Sequence, residues 1–158
     1  MAVKSKRSES RCRYYIREQA FKRGWNTSHP RQAGDFLEEQ EIINHFPDIN
    51  LGQDRPDFLL TLGGTPAVVV EAKNESHKVD IAIAEAIEYA EKINLSGKHK
   101  IYIAVGAAGD ESSGFSVKVK FLKGDTWIPL TSKGFEITTI PSKREVETAL
   151  MAKDGSTS

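Results

Sequence analysis

The chain has 158 residues, 39% of them hydrophobic, and its 22 lysines and arginines are balanced by 22 aspartates and glutamates. That length fits one ordinary core rather than two, and a net charge of zero leaves no overall field toward nucleic acid or an anionic membrane. One cysteine, Cys12, excludes an internal disulfide framework and a cysteine-built zinc site, and no apolar run approaches the ~20 residues that span a bilayer. The polar, basic start lacks a signal-peptide core, so a cytoplasmic protein with no membrane partner is expected. His29, His45, His77 and His99 are scattered without metal-ligand spacing.

Residues 1–31 hold nine lysines and arginines against only Glu9 and Glu18. Residues 1–10 read as a flexible basic arm, which either meets phosphates or forms, with the helix after it, a solvated face. A helix is expected over residues 11–23, with Ser10 as N-cap and Gly24 as its stop, followed by the loop "NTSHPRQAG". A second helix is expected over residues 35–45, ending before Pro47. Its spacing puts Glu39 in one stripe with Phe36, Ile43 and Phe46, an unusual place for a carboxylate.

Next come strand "DFLLTL", a turn at Gly63 and Gly64, and strand "PAVVVEAK". The unbroken apolar run Ala67 to Val70 predicts a central strand covered on both faces. A helix follows over residues 79–94, then a short buried strand, "KIYIAV". "GAAGDESSG" reads as a flexible loop without the pattern of a phosphate-binding loop. "FSVKVKFL" and "TWIPL" form a hairpin in which Lys118 and Lys120 face outward, either as solvated surface or lining a nucleic-acid groove. "FEITTI" is a last strand, residues 142–153 a last helix, and residues 151–158 a flexible tail or linker. The order predicts an α/β domain over residues 11–150, with a central mixed sheet flanked by helices.

Chemistry concentrates on Asp57, Glu71 and Lys73. Side chains alternate along a strand, so Glu71 and Lys73 share a face. Asp57 joins them only in one register. A plain two-residue turn sets Asp57 opposite Val70; a three-residue loop or a bulge sets it opposite Glu71, and the longer loop or a bulge is expected. Converging carboxylates repel unless one is protonated or a cation lies between them, and their oxygens suit Mg²⁺. Such an ion lowers the pKa of its water, and Lys73 beside it can orient or help deprotonate that water and stabilise phosphoryl charge. Without an ion, the same residues are a strand end with a surface ion pair.

Pro56-Asp57, a Gly-containing hairpin and "VVVEAK" resemble the PD-(D/E)XK nuclease superfamily. The likeness extends to the N-terminal nuclease domains of type I restriction enzyme R subunits and related fused restriction-modification proteins. It rests on "SRCRYYIREQAFKRGW", "RPDFLL" and "AEAIEYA" as the helix carrying their QxxxY motif. The resemblance implies a restriction-endonuclease-like core that hydrolyses DNA phosphodiester bonds by metal-activated water, with Mn²⁺ as a substitute for Mg²⁺. It assigns the metal to Asp57, Glu71 and the Ala72 backbone carbonyl, and the water to Lys73. It also implies a helical glutamate near the metal. Glu39 is the candidate, with Glu18 and Glu38 as alternatives; the competing reading pairs Glu39 with an arginine in the core.

Where those domains carry Gln, this chain has Glu85, four residues before Tyr89 on the same helix face. The change removes an amide donor, so Glu85 either faces solvent or holds Lys73 or another basic group, and Tyr89 is either core or a DNA contact. Motor, methyltransferase and specificity functions of a restriction system would lie in partner subunits or other domains. The rival readings are an inactive nuclease-fold module for DNA binding or protein interaction, and a structure-specific or RNA-directed nuclease.

Overall fold

The computed structural model describes residues 9–49 and 55–157, so residues 1–8 of the basic arm lie outside the described part. Helix α1 (Ser10–Lys22) buries Cys12, Ile16 and Ala20, one stripe at four-residue spacing. Strand β1 (Phe36–Glu38) and helix α2 (Glu39–His45) follow, then β2 (Phe58–Leu62), β3 (Thr65–Lys73), α3 (Val79–Leu95) and β4 (Ile103–Asp110). The chain continues through β5 (Gly114–Lys123), β6 (Thr126–Pro129), the two-residue strands β7 (Thr131–Ser132) and β8 (Phe135–Glu136), and α4 (Lys143–Ala152).

Strands β1 to β6 form one mixed sheet in sequence order. Only β3 and β4 run parallel, joined by the α3 crossover. Val68, Val70, Val105 and Val119 face a core that includes Ile16, Ala20, Val146 and Ala149. Leu59, Val69 and Ala104 face the other core, with Ile83, Ala86, Ala90 and Ile93 of α3. Both faces of β3 are therefore covered, which its unbroken apolar run requires. No helix among the described residues is long and apolar enough to cross a membrane.

The hairpin turns on Gly63 (φ 56°) and Gly64 (φ 82°), the left-handed pair of a tight primed turn, and Leu62 pairs with Thr65. Thr61 then pairs with Pro66 but Leu60 with Val68, so Ala67 is a bulged extra residue. Pro66 has no N–H for a regular ladder and belongs at such an irregularity. The loop is thus the short one, and the bulge supplies the expected shift.

Several expectations need correction. Ser10 is the first residue of α1 rather than its N-cap, which is Glu9. Residues 36–38 are an edge strand rather than a helical turn, and α2 starts at Glu39 because Glu41 reaches back to accept the Glu38 N–H at 2.9 Å. Its buried helical residue is Ile42, and Ile43 is only half-buried. "GAAGD" extends β4, leaving only residues 111–113 as the turn. Glycine is needed at position 106 because α3 lies directly on the strand: a Cβ there would stand 2.3 Å from the Ile83 nitrogen. "FEITTI" forms strand only at Phe135–Glu136, although Ile137 and Ile140 are buried. The segment after α4 returns to the fold, its Thr157 N–H donating to the Thr131 carbonyl at 2.9 Å.

Candidate active site

Asp57 and Glu71 meet where β2 begins and β3 approaches its end. The register beyond Phe58 and Val70 sets them opposite each other. Each is held by the other strand's backbone: the Asp57 N–H donates to Glu71 Oε2 at 2.6 Å, and the Ala72 N–H donates to Asp57 Oδ2 at 2.8 Å. Both residues are 6% exposed. Burial pushes the Glu71 carboxyl well above the usual carboxylate range. The charge of Asp57 adds to that rise, the Asp57 N–H opposes it, Glu85 adds, and Lys73 opposes.

Lys73 lies on the α3 side of the sheet, with Nζ 2.9 Å from Glu85 Oε1. Of the alternatives open for Glu85, the geometry selects the one that holds Lys73. Gly106 makes this contact geometrically available. It pairs with Glu71 across the β3–β4 ladder and admits the α3 backbone close to the strand.

Asp57 is also reached from α1. The Arg13 guanidinium donates to Asp57 Oδ1 at 2.8 Å and contacts Glu39 at 3.1 Å and Glu38 at 3.3 Å. It lies 4.5 Å from the centre of the Phe58 ring. Arg17, one turn along, pairs with Glu38 and lies over Phe36. Glu39 therefore pairs with an arginine, and it opens α2 at φ 30° rather than lying in the helix's apolar stripe. Glu18 sits outside this cluster, 4.0 Å from Lys22.

Other expected residues lie apart. Lys118 is exposed and pairs with Asp80 in the first turn of α3, while Lys120 is half-buried on β5. Tyr89 packs partly buried against the α3-side core, its ring 5.9 Å from Lys92 Nζ. No sequence motif marks Arg13; the available signal is its one-turn spacing from Arg17 and the paired acids Glu38-Glu39 downstream. Glu9, assigned to the arm, is instead 6% exposed beside Cys12.

No group of three or more His, Cys, Asp or Glu side chains among the described residues is arranged to hold a metal ion. A cation would rest on the Asp57 and Glu71 carboxylates completed by backbone oxygen. Arg13, Arg17 and Lys73 stand against Glu38, Glu39, Asp57, Glu71 and Glu85, a deficit of two positive charges when every acid is ionised. Hard oxygen donors suit a divalent ion, and the deficit reaches two once Glu71, whose carboxyl burial pushes up, has lost its proton. Compared with known proteins, the chain matches no protein family, no curated protein and no solved structure.

Proposed function

We propose that this chain is a Mg²⁺-dependent DNA endonuclease domain with a restriction-endonuclease-like core, acting in the cytoplasm within a restriction-modification system. The observation that carries the reading is the buried contact of Asp57 with Glu71, with Lys73 two residues further along the same strand. An ordinary strand end gains nothing by burying two carboxyl groups together, since both lose hydration and repel.

Asp57, Glu71 and the Ala72 carbonyl would hold Mg²⁺, or Mn²⁺ in its place. The ion supplies Lewis acidity and lowers the pKa of water. Lys73 brings a positive charge to the site, fixed in direction by Glu85, where it can orient the attacking water and stabilise charge gathering on the phosphoryl oxygens. Phe58, Val69 and Val70, all fully buried, anchor the strand ends from which the acids project. Target recognition and translocation would come from partner subunits or other domains.

A second reading has its own support. Asp57 accepts from Arg13 and from the Ala72 N–H, so its carboxylate is satisfied without an added cation, as an inert DNA-binding or protein-interaction module would need. Plasmid DNA incubated with Mg²⁺ or Mn²⁺ separates the two. The nuclease reading expects metal-dependent nicking or linearisation that disappears in Asp57→Ala and Lys73→Ala. DNA binding without cutting, unchanged in both variants, would establish the inert module instead.

A further inference from the structure

Arg13 is the most heavily engaged cation of the cluster, and the nuclease reading gives it no task. Its side chain is 11% exposed, and its two terminal nitrogens divide their donors: one to Asp57 Oδ1, the other to Glu38 and Glu39. We propose that Arg13 is a positioning residue for Asp57 and a tethered counter-cation that competes with a divalent ion for that carboxylate. The inference rests on the reading of Asp57 as a metal-binding group.

Four features support it. A guanidinium is always charged and presents its donors in a fixed fork, so an arginine against Asp57 both neutralises and aims the carboxylate in metal-free protein. Oδ1 is then shared between Arg13 and any ion that approaches it, and the positive charge nearby repels that ion. Arg13 also has somewhere to go. Glu38 and Glu39 remain within reach of its other nitrogen, and the Phe58 ring supports its plane, so losing Asp57 as a partner does not leave a buried arginine unpaired. Glu39 meets Arg13 from a left-handed backbone conformation, φ 30°, which side-chain-bearing residues seldom adopt and which persists only where the surroundings hold it.

A residue needed only for folding would, on removal, weaken metal binding or leave it alone. Competition predicts the opposite sign. Calorimetric titration with MnCl2 compares the native chain with Arg13→Met, which keeps length without charge, Arg13→Lys, which keeps charge without the fork, and Asp57→Asn as control. Arg13→Met should bind Mn²⁺ about tenfold tighter, with Arg13→Lys between it and the native chain. In EDTA the Met variant should unfold at lower temperature than the native chain, and saturating Mn²⁺ should narrow that gap. Native-like or weaker binding in the Arg13 variants, with binding abolished in Asp57→Asn, overturns the role of Arg13 and leaves the metal site standing. Absence of Mn²⁺ binding in the native and both Arg13 proteins overturns the metal site and this inference together. Should Arg13→Met fail to fold, Arg13→Lys decides: tighter binding than native supports the competition, and equal or weaker binding overturns it.

Discussion

At Glu71 a buried carboxyl group faces a second one, and its protonation is tied to folding. Its folded-state pKa lies above the unfolded value, chiefly because it is buried. Folding therefore favours the protonated acid. Its contribution to stability is fully present below the unfolded pKa and is lost as pH rises through the raised folded pKa. Metal-free protein should accordingly lose stability across that window. A divalent ion in the proton's place should restore it most at the alkaline end. Denaturant titrations in EDTA and in Mg²⁺ at a series of pH values measure both effects; a Mg²⁺ gain that does not grow with pH would contradict them.

Cys12 gives a second residue-scale outcome. Burial pushes its thiol up to about 12, with Glu9 and Asp57 adding to the rise. The thiolate is the reactive form, so a disulfide reagent at neutral pH should label Cys12 only as fast as the native fold opens. Labelling at the rate of a free thiol would place Cys12 at the surface. Asp57, Glu71 and Lys73 were legible as a group because three ionisable residues border an apolar strand pair. Arg13 was not, because its partners lie 25, 26 and 44 positions away and only the fold joins them.

Strand β4 shows how an element's local signals can mislead. Gly106, Ala107, Ala108 and Gly109 look like a flexible loop, yet all four pair with β5 and the first three also with β3. Gly106 answers to the closeness of α3 and Gly109 to that of the β5 backbone, where a Cβ would stand 2.0 Å from the Gly114 carbonyl oxygen, rather than to a need for flexibility. Gly106→Ala would set a Cβ 2.3 Å from a backbone nitrogen that cannot swing aside. The expected cost is about 1–3 kcal/mol of overpacking, read as a lower denaturant midpoint at unchanged slope. No change in midpoint would mean that α3 is not seated on the strand as described. The register shift was more legible, as a longer loop or a bulge, because only those set Asp57 opposite Glu71; its form, a bulge at Ala67, was not. The start of α2 was not, because Phe36 and Leu37 satisfy a helical stripe and an edge strand equally well, and pairing with β2 decided between them.

For the molecule as a whole, alternation of helical and strand patterns carried the α/β class and the mixed sheet. The return of the C-terminal segment to Thr131 did not show, because polar residues such as Ser156 and Thr157 form that contact through backbone pairing and threonine hydroxyls, with no apolar signal in the sequence. Charge is neutral overall but uneven where it matters, with acids outnumbering cations around the strand ends. A cleft of about 450 Å³ lies elsewhere, between Asn94, Leu95, Lys100 and Leu122, away from the acid pair. The acid pair lies instead where the ends of β2 and β3 meet, buried between neighbouring strands. The direct measurement is single-turnover cleavage of plasmid DNA in Mn²⁺ by the native chain and Lys73→Ala, with Mn²⁺ affinity measured on both. The account predicts similar affinity and a cleavage rate about 10²–10⁴-fold lower in the variant. Equal cleavage rates, or no cleavage by the native chain with Mn²⁺ bound, would contradict it.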